Sequence, residues 1–311
     1  MADIIITSYR NPDLDGIACS IALAQQLQST GQSAQAVYTG TLGLEIKFIN
    51  DFYKRLPIKP DSGKYPPDTQ FILVDTADPG AINPAIPLDQ VIRIFDHHPH
   101  TFPEKFTHAL TTLEMIGSCA TLIAEYFRKI SYNPGGMVAA CLNSAIISNT
   151  INFQNTVTTD RDKKAASWLQ QFLHLPSDFI ERMFIAKSRI TPANLQESII
   201  QDFAVKEIAG FRVGLAQLEV ANLDQLLNQV EFQLKELLKT LKSEKNLDYI
   251  LFTGIDILKG GNLFLVIDPR SEKLFSQVLN INFLQGRGST PHILMRKQMW
   301  PLIETNLKNF K

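Results

Sequence analysis

The sequence predicts two α/β domains, the first of which is built on a largely parallel β-sheet. In the first half, short apolar segments alternate with helical patterns, as expected for a parallel sheet covered on both faces. A polar segment with a proline, at residues 187–192, separates this half from a second α/β pattern. The length of 311 residues is enough for two cores, since a domain usually has about 100–200 residues. We therefore expect domains over residues 1–187 and 194–311, joined by a hinge linker at residues 188–193.

Each predicted element of the first domain follows from its own residue pattern. Asp3–Ser8 is a short apolar strand that ends in a polar turn, and Gly16 then opens a helical stretch over Ile17–Leu27. Similar apolar runs predict strands at Phe71–Asp75 and Val91–Phe95. Further helices are predicted at Thr121–Lys129, Met137–Ile147, Asp160–Leu173 and Ser177–Ile185.

The second domain is predicted to be smaller and to contain a mixed sheet. Its longest element is Leu223–Lys242, a helix whose apolar residues form a stripe along one face that we expect to pack on the core. Strands are predicted near Gln201–Lys206, Phe211–Leu218, Tyr249–Gly254 and Leu263–Ile267.

The composition excludes several classes of protein. Thirty Lys and Arg residues against 31 Asp and Glu residues give a formal charge of −1, which does not suit a surface that coats nucleic acid. A hydrophobic content of 45% excludes a disordered chain. Three cysteines without CxxC spacing indicate neither a disulfide framework nor a zinc site, and the N-terminal apolar run is too short for a signal peptide or a membrane span. We expect a cytoplasmic protein with no nucleic-acid or membrane partner.

Polar clusters follow three of the predicted strands, where open α/β sheets place their ligands. Aspartate oxygens with imidazole nitrogens, and no cysteine, suit Mn²⁺ or Mg²⁺, and the imidazoles favour Mn²⁺ or another first-row ion. Each cluster alone has an ordinary structural explanation, such as a helix cap or a turn. Three such clusters at successive strand ends instead predict a metal site. The clusters are Asp13 with Asp15, Asp75, and Asp96 with His97 and His98.

The ordered motifs resemble those of a known family. The segments Asn11–Asp15 (NPDLD), Val74–Thr76 (VDT), Asp96–His98 (DHH) and Ala145–Asn149 (AIISN) resemble the DHH phosphoesterases, and among them the manganese-dependent (family II) inorganic pyrophosphatases. In the second half, three segments resemble the DHH-associated domain of the same enzymes. They are Asp202–Val220, Thr253–Leu258 and Arg296–Pro301.

The resemblance implies a metal-activated water that hydrolyses pyrophosphate to two phosphates, with Mn²⁺ as cofactor and Mg²⁺ or Co²⁺ as alternatives. It implies that Asp75 bridges two ions and that Asp13 binds the first. Asp15 and His97 then bind the second, with Asn149 at the last ligand position.

The remaining site residues are also implied by the resemblance. His98 is expected to contact the substrate phosphate, and Asp96 to orient the first imidazole, that of His97. From the second domain, Lys206, Arg296 and Lys297 are expected to bind the small anionic substrate in a cleft that closes about the hinge. The catalytic set is therefore Asp13, Asp15, Asp75 and His98. The glycine-bearing segment 286–290 is expected to be a simple loop.

Two residues depart from the family pattern. Tyr9 stands where the family has a histidine ligand, and Asn149 stands where it has an aspartate ligand. A phenol with an ordinary pKa of about 10 is a poor ligand near neutral pH, and an asparagine oxygen carries no formal charge. His100 is a candidate substitute ligand. Three explanations compete: a natural subgroup with weaker metal binding or a modified mechanism, an introduced change at Asn149, or a phosphate-ligand sensor without activity. Because an introduced Asn149 would not account for Tyr9, we favour a natural variant whose hydrolysis is weakened or altered.

We expect a pyrophosphatase. The alternatives are an exopolyphosphatase or other phosphoesterase, and a catalytically silent phosphate-binding homologue. A DHH nuclease is disfavoured by the neutral charge and by the lack of clustered aromatic residues for base stacking. A homodimer formed through an edge strand of the first domain fits the resemblance.

Overall fold

The computed structural model of the protein describes residues 3–99, 101–188 and 190–308. The chain forms two compact units, one ending at Ala186 and the other beginning at Lys187. The predicted fold class, two α/β domains with a parallel and a mixed sheet, is confirmed. No helix among the described residues is both long enough and apolar enough to span a membrane. All three cysteines are free and buried.

The first unit is built on a six-stranded sheet in which every pairing is parallel. The strand order is β3-β2-β1-β4-β5-β6, so the chain reverses its direction of winding beside the first strand. The strands are β1 Ile4–Thr7, β2 Ala34–Tyr38, β3 Ile58–Pro60, β4 Gln70–Val74, β5 Val91–Asp96 and β6 Leu110–Leu113.

Six helices accompany this sheet. They are α1 Leu14–Ser29, α2 Leu44–Phe52, α3 Cys119–Lys129, α4 Gly136–Asn149, α5 Asp160–Leu169 and α6 Phe179–Lys187. Helix α4 carries small and apolar residues on all sides and is buried over most of its length, which is typical of a helix inside a core. Helices α1, α3 and α5 all pack on it, and its C-terminal end therefore lies against the start of α1.

The second unit contains a five-stranded sheet with the order β11-β10-β9-β8-β7, in which only β8 and β9 pair in parallel. Its elements are α7 Leu195–Gln201, β7 Phe203–Ile208, β8 Phe211–Val220, α8 Leu223–Glu244, β9 Tyr249–Asp256, β10 Asn262–Leu265, α9 Pro269–Leu279, β11 Arg287–Thr290 and α10 Arg296–Lys308. As predicted, α8 buries one leucine-rich face, and this face packs in one of the two cores of the unit. Helices α9 and α10 supply the other core.

Three local predictions are wrong. Helix α1 begins at Leu14 rather than at residue 17, because the Asp13 side chain caps its first turn. Helix α5 ends at Leu169 rather than at residue 173. The segment 286–290 is not a simple loop, since Arg287–Thr290 pairs antiparallel with β10 and its backbone groups enter the sheet.

Candidate metal centre

The candidate centre lies at the carboxyl edge of the parallel sheet. Strands β1, β4 and β5 are neighbours and run in the same direction, so the segments that follow them meet at one edge. Strand β1 also has β2 on its other side, which makes this edge the switch point of the sheet, where ligands bind in such folds. The three polar clusters predicted from the sequence come together here.

Asp75 is the most exceptional side chain of the centre. It follows β4 directly, is 1% exposed, and has a left-handed backbone with φ of 60°, a conformation that aspartate tolerates better than most residues. Neither carboxylate oxygen accepts a hydrogen bond from a described residue. Burial raises the pKa of Asp75 well above its usual value, and the charges of Asp15 and Asp13 add to the shift. A buried carboxylate without donors is costly unless a cation accompanies it.

His97 points its Nε2 nitrogen at the carboxylate of Asp75. Its Nδ1 lies 2.9 Å from the carbonyl oxygen of Ile116, and because a carbonyl only accepts, Nδ1 carries a proton. In the neutral ring Nε2 is then an unprotonated nitrogen, and it lies 3.2 Å from Asp75 Oδ1 and 3.7 Å from Asp15 Oδ2. Burial acts to lower the pKa of His97, but the charge of Asp15 opposes it and the net shift is upward.

Asp96 has a different partner from the one predicted. Its Oδ1 lies 2.8 Å from Nδ1 of His98 and accepts the backbone N–H groups of His97 and His98. The prediction that Asp96 orients the ring of His97 is therefore wrong, because the carbonyl of Ile116 does so. The His98 side chain is 49% exposed, and its position beside Asp75 groups these two residues with His97 as potential metal-binding side chains.

Asp15 is fully buried and rich in hydrogen bonds. Its Oδ1 accepts from Ser118 Oγ at 3.0 Å and from the backbone N–H of Ala120 at 2.8 Å. Its Oδ2 accepts from the backbone N–H of Cys119 at 2.7 Å. These donors form the N-terminal end of α3, where helices leave N–H groups without partners inside the helix. Despite these bonds, burial raises the pKa of Asp15, and nearby Asp13 adds to the shift.

Asn149 completes the set of donors around Asp15. It is the last residue of α4, and its Nδ2 donates to Asp15 Oδ2 at 2.7 Å. The amide nitrogen, and not the amide oxygen, thus faces the carboxylate. This contact joins residues that are 134 positions apart in the chain.

Tyr9 and Asp13 shape the loop that follows β1. Asp13 Oδ1 accepts the backbone N–H of Asp15 at 2.8 Å and of Gly16 at 3.3 Å. The backbone N–H of Asp13 donates to the phenol oxygen of Tyr9 at 3.1 Å. Burial raises the pKa of Tyr9 above its ordinary value, and the charges of Asp13 and Asp75 raise it further, so that the phenol is neutral at physiological pH.

An open pocket of about 400 Å³ lies beside these residues. Its walls include Tyr9, Asp75, Asp96 and His98, which makes one oxygen-rich side of the centre accessible to a small ligand. The candidate ligand His100 lies outside the described residues.

The three cations that are predicted to bind the substrate, Lys206, Arg296 and Lys297, lie on β7 and at the start of α10. Lys206 Nζ lies 5.0 Å from the centre of the Trp300 ring. Trp300 is one helical turn beyond Arg296 in α10. The guanidinium of Arg296 pairs with the Asp202 carboxylate at 2.6 Å and donates to the Asp202 carbonyl. Lys297 is exposed.

The segment 116–120 has a role in the centre that its sequence did not predict. It supplies the carbonyl that fixes the His97 ring and three of the donors to Asp15. A signal was present, because Ser118 is a favoured residue for capping a helix and so marks a group of free backbone N–H donors.

The residues present fit a divalent cation. Asp75 offers two buried oxygens without hydrogen-bond donors, and His97 offers a nitrogen whose tautomer is fixed by Ile116. Oxygen ligands with imidazole suit Mn²⁺ and related ions, and a fixed second nitrogen is typical of a metal-binding histidine.

Comparisons with known proteins agree with this architecture. Residues 3–148 match the DHH family, N-terminal domain, and residues 181–306 match the DHHA2 domain. The fold and its site thus define a two-domain protein of the DHH class.

Individual relatives show which family within the DHH class this chain is similar to. The manganese-dependent inorganic pyrophosphatase of Methanocaldococcus jannaschii is 30% identical over 96% of this chain and 97% of its own. The enzyme of the same name from Methanothrix thermoacetophila is 28% identical, covering 99% of this chain and 100% of its own. A crystal structure from Methanococcus jannaschii, assigned to the family II inorganic pyrophosphatases, has a TM-score of 0.60 and 26% identity over 98% of this chain and 99% of its own. The chain belongs to the family of manganese-dependent inorganic pyrophosphatases.

Proposed function

We propose that this protein hydrolyses inorganic pyrophosphate to two phosphates with Mn²⁺ as its cofactor, Mg²⁺ or Co²⁺ being alternatives. The observation that carries the proposal is the buried carboxylate of Asp75, which has no hydrogen-bond donor and lies 3.2 Å from His97 Nε2. The names of the relatives support the choice of pyrophosphate and of manganese.

Asp75 and His97 would hold the ion. A bound divalent ion supplies Lewis-acid stabilisation of phosphate charge and lowers the pKa of water. The chain's own residues prepare the centre for this chemistry. Burial keeps the Asp75 oxygens away from bulk water, and Ile116 keeps His97 Nε2 directed at Asp75.

His98 and Asp96 act on the substrate side in this proposal. Asp96 fixes the ring through Nδ1, which leaves Nε2 of the half-exposed imidazole for the substrate. His98 Nε2 is thereby placed to contact a phosphate oxygen of the substrate.

Lys206, Arg296 and Lys297 are proposed to bind the phosphate groups of the substrate. Their common location at β7 and the start of α10 supports this role. Arg296 also has a structural role, because its ion pair with Asp202 holds the start of α10 against the residue between α7 and β7. A cation that holds the leaving phosphate stabilises the negative charge that develops on it.

The test measures phosphate release from pyrophosphate and from tripolyphosphate, and mononucleotide release from a dinucleotide, each with Mn²⁺, Mg²⁺, Co²⁺ or no metal. We expect pyrophosphate with Mn²⁺ to give the highest rate. Asp75→Asn should lower kcat/KM at least about 100-fold, equivalent to ~2.7 kcal/mol, whereas the exposed control Asp89→Asn should retain the wild-type rate.

The outcomes separate the candidate functions. A preference for tripolyphosphate would favour an exopolyphosphatase, and cleavage of the dinucleotide alone would favour another phosphoesterase. Phosphate binding without hydrolysis of any of these substrates would support a silent phosphate-binding protein and refute the enzyme proposal.

The proposal also includes a cytoplasmic location, a small-molecule rather than nucleic-acid ligand, and a homodimer. Strand β6 supports the dimer, because it is an edge of the parallel sheet and its Leu110 is 64% exposed. Sedimentation equilibrium of the full chain should give twice the monomer mass.

A further inference from the structure

We infer that this chain holds a single divalent ion, at Asp75 and His97, and that Asp15 is a structural carboxylate whose ligand capacity is taken up by Asn149 and the start of α3. The inference rests on the proposed function only in requiring that the centre bind a metal. It differs from the two-ion site that the family resemblance implies.

The hydrogen bonds of Asp15 carry the first step. A carboxylate has about four lone-pair positions. Among the described residues, four N–H or O–H donors reach Asp15, two on each oxygen: Ser118 Oγ and Ala120 N on Oδ1, and Cys119 N and Asn149 Nδ2 on Oδ2. The Cys19 thiol is a fifth, longer contact, 3.6 Å from Oδ1. All four donor–acceptor distances lie between 2.7 and 3.0 Å. A metal bond to Asp15 must therefore displace one of these donors.

Asp75 provides the contrast within the same centre. It is as deeply buried as Asp15, but its two oxygens receive no hydrogen bond from the described residues. The two carboxylates thus differ in their partners: the protein supplies hydrogen-bond donors to Asp15, whereas Asp75 has none and suits a cation. His97 Nε2 is also closer to Asp75, at 3.2 Å, than to Asp15, at 3.7 Å.

Two of the four donors to Asp15 are backbone N–H groups in the first turn of α3, and they cannot leave without unwinding the helix. The Ser118 hydroxyl also accepts the Ala120 N–H as the cap of α3. The Asn149 amide is therefore the donor whose departure leaves α3 and its cap intact. To offer its oxygen to an ion, Asn149 has to rotate its amide and give up the bond to Asp15. An aspartate at position 149 has no N–H to donate. Two carboxylates at hydrogen-bond distance repel unless a proton or cation lies between them, so Asn149→Asp creates the conditions for a second ion.

The experiment measures bound Mn²⁺ per chain by equilibrium dialysis with elemental analysis, together with the Mn²⁺ electron paramagnetic resonance spectrum at saturation. We expect one ion per chain and a mononuclear signal for the wild type. Asn149→Asp should bind two ions per chain and show the altered signal of a spin-coupled pair. The matched control is Asn152→Asp, an exposed residue three positions later, which should bind one ion.

A second measurement concerns the metal-free protein. Asp15→Asn replaces an acceptor with a donor facing other donors, and should lower the Tm by at least about 4 °C. Asp75→Asn replaces a buried carboxyl group that accepts no hydrogen bond from the described residues, and should leave the Tm unchanged or raise it while abolishing Mn²⁺ binding. If Asp15→Asn does not fold, the stoichiometry of Asn149→Asp still decides the question.

Two ions bound to the wild type, or a single ion bound to Asn149→Asp, would overturn the inference. Equal effects of Asp15→Asn and Asp75→Asn on the metal-free Tm would also overturn it. The proposed function fails separately: a wild type that binds one ion but releases no phosphate refutes the activity and leaves the inference standing. A wild type that binds two ions and hydrolyses pyrophosphate overturns the inference and leaves the proposed function standing.

Discussion

Tyr9 is a structural side chain placed where a ligand is expected. Its phenol oxygen accepts the backbone N–H of Asp13 and so supports the loop that carries the carboxylates. Because burial and the neighbouring carboxylates raise its pKa, the phenolate that would bind a cation is not formed near neutral pH. The residue thus stabilises the loop without adding a ligand.

Replacing Tyr9 with histidine tests this interpretation. Tyr9→His introduces a neutral nitrogen ligand beside Asp13 and Asp75, and we expect the Mn²⁺ dissociation constant to fall at least about tenfold, or ~1.4 kcal/mol. Tyr9→Phe is the control, since it removes the hydroxyl without adding a ligand and should not tighten binding. Isothermal titration calorimetry measures both. Equal affinities for Tyr9→His and Tyr9→Phe would contradict the interpretation.

Glu219 gives a prediction for the pH dependence of stability in the second unit. Burial raises its pKa; Lys187 acts in the opposite direction, and the net shift is upward. A carboxyl whose folded pKa exceeds its unfolded value of about 4.3 destabilises the fold as pH rises through the folded value, and this cost is absent below the unfolded value.

Glu219→Gln should therefore raise the Tm by about 2 °C at pH 8 and have little effect at pH 4. Thermal unfolding followed by circular dichroism at both pH values measures the difference. Glu197→Gln, at an exposed position of α7, is the control and should show no such dependence. A larger gain at pH 4 than at pH 8 would refute the assignment.

At the scale of elements, Asp162 of α5 holds the segment that supports the metal centre. Its Oδ2 accepts the backbone N–H of Gly117 at 3.1 Å, and its Oδ1 accepts from Thr121 at 2.6 Å. It also accepts the backbone and side-chain donors of Thr159, which complete a capping box at the start of α5. Gly117 follows the carbonyl that fixes His97 and precedes the donors to Asp15. Asp162 therefore positions two residues of the centre without touching either.

Asp162→Asn should lower the free energy of unfolding by about 2–4 kcal/mol, because it leaves buried donors without an ionised acceptor. It should also weaken Mn²⁺ binding, through loss of the fixed His97 ring. Urea unfolding and Mn²⁺ titration of the folded variant measure the two effects. The matched control is Asp160→Asn, whose side chain is 87% exposed in the same helix. Unchanged Mn²⁺ affinity in folded Asp162→Asn would refute the positioning role.

The elements that place the clusters were predictable, and the reasons are physical. Strands β1, β4 and β5 are short apolar runs with turn residues after them, so their sequences indicate both the strand and the ligand-bearing loop. Strands β3 and β6 have few residues and exposed positions, which leaves little hydrophobic pattern to detect. The short β2 pairs with β1, and its sequence AQAVY mixes polar and apolar residues.

The contacts inside the centre were less predictable. The sequence indicated which residues meet, because parallel strands end at one edge, but not which atoms bond. The amide of Asn149 reaches Asp15 only because α4 and α1 pack side by side, and no local pattern encodes that approach. The preference of Asp96 for His98 over His97 likewise depends on where the carbonyl of Ile116 lies.

For the whole molecule, the two units carry different chemistry. The carboxylates and imidazoles belong to the first unit, and Lys206, Arg296 and Lys297 belong to the second. The near balance of 30 basic and 31 acidic residues therefore conceals a division of functional charge. A metal that binds only the first unit should stabilise only that unit directly.

Hydrogen exchange tests this division. Mn²⁺ at 100 times its dissociation constant should add about 2.7 kcal/mol to the opening free energy of the first unit. We expect slower exchange at the buried amides of β4 and α1, and no change at β8 and β9. Asp75→Asn is the control in which Mn²⁺ should have no effect. Equal protection of both units by Mn²⁺ would contradict the prediction.

The two side chains that stand at expected ligand positions, Tyr9 and Asn149, have an evolutionary consequence. Asparagine and aspartate codons differ at one base, and so do tyrosine and histidine codons. The two positions that depart from the family pattern are therefore each a single nucleotide substitution away from a metal ligand. Neither change has to alter the strands, because positions 9 and 149 lie outside them, after β1 and at the end of α4. A lineage can thus gain or lose a bound cation by point mutation while its architecture is conserved.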